Sequence, residues 1–258
     1  MVRVLFLGYE ECNLLNFLST RAEIMQTEEK ISLKSAIAYN PDIIISYGYR
    51  NIIDKEVVDH FYGRILNLHV SFLPWNKGVF PNIWSIIDDT PKGVTIHMVD
   101  EGIDTGDIIF QRIVALSGDD TLSSSYWKLR ESVENLFIDN WEKIKQLDFE
   151  RKKQEPGGTF HLKKTSTRYF KKLGILNNWE IKVGDLKTTA DEDIINEIRD
   201  IRAKNNNHWM DVVKLAFRVS PTEARDIFKR IKYCDFKINE LLKELSENDK
   251  KQQRGRSQ

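Results

Sequence analysis

The chain has 258 residues, 41% of them hydrophobic, with 39 basic and 39 acidic side chains. That size and apolar content support one main folded domain with an appendage and exclude a disordered chain. No apolar run reaches the roughly 18 residues of a membrane-spanning helix, and two distant cysteines, Cys12 and Cys234, make neither a disulfide framework nor a metal site, so no metal is expected.

The N-terminal segment reads as a first strand over 2–7. It runs directly into Glu10 and Glu11 without a small-residue cleavage site, so no secretory signal is expected. Together with the two lone cysteines, this makes a reducing cytoplasm the expected location. Further strands are predicted at 42–46, 64–70, 93–99 and 107–114 from short β-branched or apolar runs. Helical patterns at 28–39, 54–60 and 82–87 separate the first of these. Asn40-Pro41 and Asp88-Asp89-Thr90-Pro91 act as stops.

Alternation of strand and helix predicts an α/β, Rossmann-like domain with a mostly parallel sheet. The last two strands form an expected antiparallel pair at its edge. The first turn, Gly8-Tyr9-Glu10-Glu11, lacks a Gly-x-Gly-x-x-Gly fingerprint, and no Walker motif, zinc spacing or Gly-x-Ser-x-Gly elbow occurs, so none of those chemistries is expected.

A long amphipathic helix is predicted over 122–147, capped by Thr121. The charged, breaker-rich segment 151–158 follows, and the expected domain boundary lies there: a catalytic domain at 1–150 and a smaller, mainly helical C-terminal region at 151–258. Helices are predicted at 190–204 and 220–247. Ser220-Pro221-Thr222-Glu223 supplies a cap, a first-turn proline and an acidic residue three positions on, and a frayed tail is expected over the last ten residues. Charge is uneven: 14 Lys/Arg against 23 Asp/Glu up to residue 150, and 25 against 16 beyond it. The basic half is either a solvated surface or a face for an anionic partner.

The chemistry concentrates in two places. Asn67 and His69 share one face of a strand by its two-residue period, with Ser71 next on that face. Asp104 sits between Gly102 and Gly106 in a loop ahead of a new strand. Ligands of open α/β sheets gather beyond the carboxyl ends of the strands. A lone histidine on a strand is ordinarily a packed one, and an aspartate between glycines is ordinarily a turn residue. It is the combination that points to catalysis.

Asn67-Leu68-His69-Val70-Ser71-Phe72-Leu73-Pro74, then Lys92–His97 and then Asp100-Glu101-Gly102-Ile103-Asp104-Thr105-Gly106-Asp107 resemble the folate-dependent formyltransferase family. The resemblance is close over about 40–115. It implies transfer of the formyl group of N10-formyltetrahydrofolate, as co-substrate, to a primary amine. The family's catalytic trio falls on Asn67, His69 and Asp104.

Formyl transfer needs a proton acceptor for the amine, a donor for the developing oxyanion and a proton for the leaving nitrogen. The resemblance implies His69 as acid/base, Asn67 as oxyanion donor and Asp104 as orienter and proton relay. The residues themselves do not choose between His69 and Asp104 as the first acceptor. The folate-binding residues it implies are Ser46, Tyr47, Gly48, Tyr49 and Arg50, with Val99, Glu101, Gly102 and Ile103, largely through backbone groups.

Leu73–Gly78, Pro81-Asn82-Ile83-Trp84 and Gly157-Gly158-Thr159-Phe160-His161 resemble the bacterial sugar-nucleotide N-formyltransferases, in particular those acting on dTDP-4-amino-4,6-dideoxyglucose for surface polysaccharide. The expected partner is therefore a nucleotide-linked amino sugar. Ser71, Trp75, Asn76, Lys77, Phe80 and Asn82 are its expected contacts: cation and amide for the diphosphate, aromatic faces for the base. GDP-perosamine is an alternative acceptor. Methionyl-tRNA is another, although the helical C-terminal pattern does not match the β-barrel of those enzymes. A non-enzymatic alternative is a regulatory or nucleic-acid-binding relative, but neither a membrane nor nucleic acid is the expected partner. The resemblance also implies a homodimer.

Overall fold

Alternation along the first strand sets the layers. In β1 (Val2–Gly8), Val4 and Phe6 turn to one face and Leu5 and Leu7 to the other, all fully buried, as in a strand covered on both sides. The computed structural model describes residues 1–254, with side chains through Lys243.

The chain continues as α1 (Asn13–Leu18), β2 (Ala22–Thr27), α2 (Leu33–Tyr39), β3 (Ile43–Tyr47), α3 (Lys55–His60), β4 (Ile65–His69), β5 (Lys77–Gly78) and α4 (Pro81–Ile87). Next come β6 (Gly93–Met98), β7 (Ile108–Ile113), α5 (Leu122–Asp139), α6 (Trp141–Gln146), β8 (Phe160–His161), α7 (Lys163–Lys172), α8 (Val183–Val219) and α9 (Pro221–Arg254).

Six strands form one sheet in the order β2-β1-β3-β4-β6-β7. Pairing is parallel from β2 through β4 and antiparallel from β4 to β6 and from β6 to β7. This is the Rossmann-like α/β arrangement, with the expected antiparallel pair at one edge. One face of the sheet packs on α1, α5 and α6 through Leu14, Leu129, Val133, Phe137 and Trp141. The other packs on α2 and α3 through Ala36, Val57, Val58 and Phe61. Burying each large apolar side chain is worth roughly 1.5–3 kcal/mol.

Several elements differ from the sequence reading: α1, α7 and the short β5 and β8 carried no expectation, α2 starts at Leu33 rather than at 28, and three further differences bear on the architecture. β2 was not expected, because this edge strand carries Glu23 and Gln26 among its few apolar residues and half of it faces solvent. The helix expected over 122–147 is two helices, interrupted at Asn140. There the Asn140 side chain takes the Leu136 carbonyl at 2.8 Å and competes with continued backbone pairing. The helix expected at 190–204 is part of the longer α8. The run Asn205-Asn206-Asn207 blurs its apolar period.

The chain divides into two compact units, Met1–Glu192 and Asp193–Gln258. The division falls well after the segment 151–158, because that segment is stitched to the sheet. Lys152 exchanges both backbone hydrogen bonds with Ile108, at 2.7 and 2.9 Å. Phe170, Ile175 and Leu186 then close a third core against Ile83, Ile86 and Leu122. The second unit consists of the remainder of α8 and α9, with Ser220 between them; α9 begins at Pro221 as its start signal predicts. Of the expected tail, the part up to Arg254 is helical, and 255–258 lie outside the described residues. Among the described residues no helix is long and apolar enough to cross a membrane.

Candidate active site

Register brings the polar residues together. Asn67 lies opposite His97, and His69 opposite Thr95, in the β4–β6 pair. Neighbouring Leu66, Leu68, Val94 and Ile96 belong to the core on one face. Asn67, His69, Thr95 and His97 therefore share the other. Ser46 of β3 lies beside Asn67. The 99–107 loop brings Asp104 to this cluster. Its φ of 55° is left-handed, a conformation that aspartate tolerates better than most residues. Gly106 permits the loop's approach, since a Cβ there would collide with the Met98 carbonyl.

The Asp104 carboxylate is the hub. Its Oδ1 accepts from Asn67 Nδ2 at 3.2 Å, and lies 3.7 Å from His69 Nδ1 and 3.5 Å from His97 Nε2. Its Oδ2 accepts from the backbone N–H of Gly78 at 2.8 Å. Gly78 has φ +90°, which an L side chain would resist. Burial alone would raise the Asp104 pKa. The charge of a protonated His69 and the Gly78 N–H outweigh it and hold the carboxyl well below the usual carboxylate range. Asp104 is ionised at neutral pH.

The histidines have assigned tautomers. His69 Nε2 lies 3.2 Å from the Asn76 carbonyl, which can only accept, so Nε2 carries hydrogen and Nδ1 holds the lone pair in the neutral ring. Burial, the largest influence, lowers the His69 pKa, against the raising effects of Asp104 and the Asn76 carbonyl. His97 Nδ1 donates to the Met98 carbonyl at 2.7 Å, so its Nε2 accepts from Asn67 at 3.0 Å. Both hydrogens of Asn67 Nδ2 are thereby used. Two imidazoles and a carboxylate converge here, yet no metal-holding group of His, Cys, Asp or Glu is found among the described residues.

Three supporting residues carried no role in the sequence reading. His97 was quoted only as part of a motif. Gln154 Nε2 donates to the carbonyls of Asp104 and Gly106 at 2.8 and 2.9 Å, fixing the loop from 50 residues away. Thr95 Oγ1 donates to the Ser71 carbonyl at 2.8 Å and accepts from Leu73 N–H at 3.1 Å. The alternation of strand β6 marks His97 and Thr95 as sharing a face with the trio; nothing local in sequence marks Gln154.

The expected folate residues divide. Gly48 and Arg50 are exposed at the end of β3, as are Glu101, Gly102 and Ile103 in the loop, with Val99 half-buried beneath. Ser46 is nearly buried. The side chains of Tyr47 and Tyr49 are committed elsewhere. Tyr47 faces α5, where its hydroxyl donates to Glu134 at 2.8 Å and accepts from Arg130 at 3.2 Å. Burial and Glu134 push its phenol pKa far up. The Tyr49 hydroxyl bonds the Glu29 carbonyl and Ile31 N–H, and Glu101 pairs with Lys55.

The expected substrate residues divide as well. Asn76 is fully buried, with its amide on Thr90 and Thr159. The Ser71 hydroxyl donates to the Trp75 carbonyl at 2.8 Å. Both are supports of the loop rather than free ligating side chains, because the reversal after β4 uses their polar atoms. Phe80 packs edge-on against Phe170, and Trp84 stacks on His161 at 4.0 Å while donating to Ser166. Trp75 and Lys77 are half-buried, and among the described residues Trp75 has no ring contact. Asn82 is 2% exposed, yet its Nδ2 has no hydrogen-bond partner.

Comparison with known proteins places this geometry. The formyl transferase family model matches residues 16–140. The crystal structure of the formyltransferase PseJ from Anoxybacillus kamchatkensis, in complex with UDP-4,6-dideoxy-4-formamido-L-AltNAc and tetrahydrofolate, is 43% identical. The match has a TM-score of 0.68 and covers 73% of this chain and 99% of that one. A curated dTDP-4-amino-4,6-dideoxyglucose formyltransferase of Mycobacterium bovis is 32% identical over 123 residues, 48% of this chain and 52% of its own length. A methionyl-tRNA formyltransferase of Desulfotalea psychrophila is 30% identical over 157 residues, 60% of this chain and 47% of its own. The chain thus spans about half the length of the curated relatives it matches.

Proposed function

The chain belongs to the formyl transferase family, and from that premise we propose that it moves a formyl group from N10-formyltetrahydrofolate to the 4-amine of a UDP-linked amino-dideoxy sugar. The observation that carries the reading is the convergence of Asn67, His69 and Asp104 at one buried carboxylate oxygen. An amide, a neutral imidazole and an ionised carboxylate in one cluster are the set of groups that amine acylation requires.

The folate, when bound, supplies the activated formyl group. The rest is the work of the chain. His69 is held neutral by burial and anchored through Nε2 to the Asn76 carbonyl, so Nδ1 is the atom that takes the amine proton. A proton arriving at Nδ1 enters the field of Asp104, 3.7 Å away, which stabilises the imidazolium and keeps the ring oriented until Nδ1 returns the proton to the leaving N10 nitrogen as the formyl–N10 bond breaks. Asn67 exchanges its bond to Asp104 for the formyl oxygen and stabilises the charge gathering there, with His97 Nε2 holding the other amide hydrogen. The exposed residues Glu101, Gly102 and Ile103 and the end of β3 bind the pterin through main-chain groups. Gln154 holds the loop at the right height.

The acceptor assignment rests on the likeness to PseJ over 99% of that chain. Its bound sugar carries a 4-formamido group, the product of formylating a 4-amine. Lys77 and the free face of Trp75 are the side chains suited to the diphosphate and the base, and Asn82 Nδ2 supplies an unused donor. A dTDP-linked 4-amino-4,6-dideoxyglucose is the second reading, favoured by the Mycobacterium bovis relative. Methionyl-tRNA fits less well, because α7, α8 and α9 are helical where those enzymes are expected to carry a β-barrel. We place the reaction in the cytoplasm and its product in surface polysaccharide synthesis.

The test is product identification. The chain is incubated with N10-formyltetrahydrofolate and the UDP-linked 4-amino sugar, and the formamide proton of the product is sought by NMR. A formamide signal that His69→Ala abolishes supports the reading; unchanged amine overturns it.

A further inference from the structure

The second unit presents an unusual surface. From Ile194 to Val219, α8 carries residues at alternating spacings of four and three: Ile194, Ile198, Ile201, Asn205, His208, Val212, Leu215 and Val219. That is a heptad seam with a period of 3.5 residues, the pattern by which one helix packs along another. The six apolar members are between 46% and 75% exposed. Among the described side chains α9 leaves the seam uncovered: its own apolar residues Ile227, Ile231, Ile238 and Leu241 are about half-exposed too, and among the described residues its one ring contact with α8 is Phe228 on Phe217, across Ser220. The PseJ match uses 99% of that chain but 73% of this one, so the surface is not a feature the two chains are bound to share.

We propose that α8 of one chain packs antiparallel against α8 of a second copy, about a two-fold axis between Asn206 and Asn207. The charges and the polar core positions select this partner and this direction. In the heptad, Ile198, Asn205, Val212 and Val219 take the a positions, and Ile194, Ile201, His208 and Leu215 the d positions. An antiparallel pair sets each a opposite a partner d. The layers are then Ile198 on Leu215, Val212 on Ile201, and Val219 on Ile194, all apolar. The two polar members meet each other, Asn205 on His208, in adjacent central layers where an amide and an imidazole can exchange a hydrogen bond.

The flanking positions agree. The g positions are Glu197, Lys204, Asp211 and Arg218, alternating in sign. Antiparallel packing sets g against g, so Glu197 faces Arg218 and Lys204 faces Asp211, and each pairing occurs twice by symmetry. On the other flank Arg202 faces the ring of Trp209. A parallel, in-register pair would set Asn205 on Asn205 and His208 on His208; it would pair Glu197 with Arg202 and Lys204 with Trp209, but would leave Asp211 facing Ala216 and without a basic partner. A polar residue at an a position is a known device for fixing register. Here it finds a complement in the antiparallel arrangement. The seam is about 38 Å long at 1.5 Å per residue.

The experiment is sedimentation equilibrium of the full chain at tens of micromolar. A dimer is expected, and the variant Ile201→Asp/Leu215→Asp is expected to sediment as a monomer with its circular dichroism retained. Both substituted residues are exposed and lie outside the catalytic unit. Direction is read by charge exchange. Glu197→Arg alone and Arg218→Glu alone should each weaken the dimer, and the double variant should restore it, because each swapped residue again meets its opposite. A monomeric wild type overturns the proposal, as does a dimer indifferent to the two aspartates. A dimer that the double exchange fails to restore overturns the antiparallel register.

Discussion

Gln154 Nε2 donates to the backbone carbonyl of Asp104 at 2.8 Å, and the same nitrogen reaches the carbonyl of Gly106 at 2.9 Å. One amide beyond the first long helix thus sets the conformation of the loop that carries the Asp104 carboxylate. Replacing it leaves two carbonyls without their partner, at a cost of about 1–3 kcal/mol. Gln154→Leu is expected to lower kcat and raise the KM for the folate while the KM for the sugar nucleotide changes little. Steady-state kinetics with each substrate varied in turn checks this; unchanged parameters would remove Gln154 from the site.

His69 and Asp104 are not interchangeable with inert residues. His69→Ala and Asp104→Ala are expected to reduce kcat by about 10²–10⁴-fold, the usual contribution of a positioned acid or base. Neither side chain belongs to the apolar clusters that hold the sheet to its helices, so the cooperative thermal transition should persist. Near-normal kcat in either variant would contradict the proposed chemistry.

The pH dependence follows from the two opposed shifts. In the proposed chemistry His69 is a neutral base, and burial lowers its pKa from the ordinary 6.5. The acid limb of kcat/KM should therefore have its midpoint below pH 6.5, with activity rising as pH rises through it. Asp104 has its folded pKa depressed below 3.8. The stability it contributes is complete above the unfolded value and is lost as pH falls toward the folded one. Chemical denaturation between pH 5 and 3 should show this loss, and a limb centred above 6.5 would contradict the burial argument.

Asn82 offers a sharper test of the substrate face. Its Nδ2 is buried and without a partner, a cost that a ligand acceptor can remove. Asn82→Leu is expected to raise the KM for the sugar nucleotide with kcat nearly kept, while the ligand-free protein is no less stable than wild type. A loss of stability with an unchanged KM would assign the amide to the fold instead.

Much of this was legible in sequence because it is local. The two-residue period of β4 puts Asn67 and His69 on one face, and the glycines around Asp104 announce a loop with special geometry. Five of the six sheet strands are visible as apolar runs; β2 is not, since an edge strand bearing Glu23 and Gln26 has little to bury. What sequence could not supply is long-range. The link from Gln154 to Asp104, the pairing of Lys152 with Ile108 and the packing of Phe170 on Ile83 arise from tertiary contacts. They carry the first compact unit past the segment 151–158 to Glu192. The fates of Tyr47, Tyr49, Ser71 and Asn76 also depended on partners far along the chain or on a reversal whose hydrogen bonds no pattern reveals.

The measurement that tests the central claim most directly is the rate of tetrahydrofolate release with N10-formyltetrahydrofolate and a panel of acceptors: UDP-, dTDP- and GDP-linked 4-amino sugars, and methionyl-tRNA. The account predicts the highest kcat/KM for the UDP-linked 4-amino sugar, and none of that turnover in His69→Ala. Turnover confined to methionyl-tRNA, or none with any amino sugar, would contradict it.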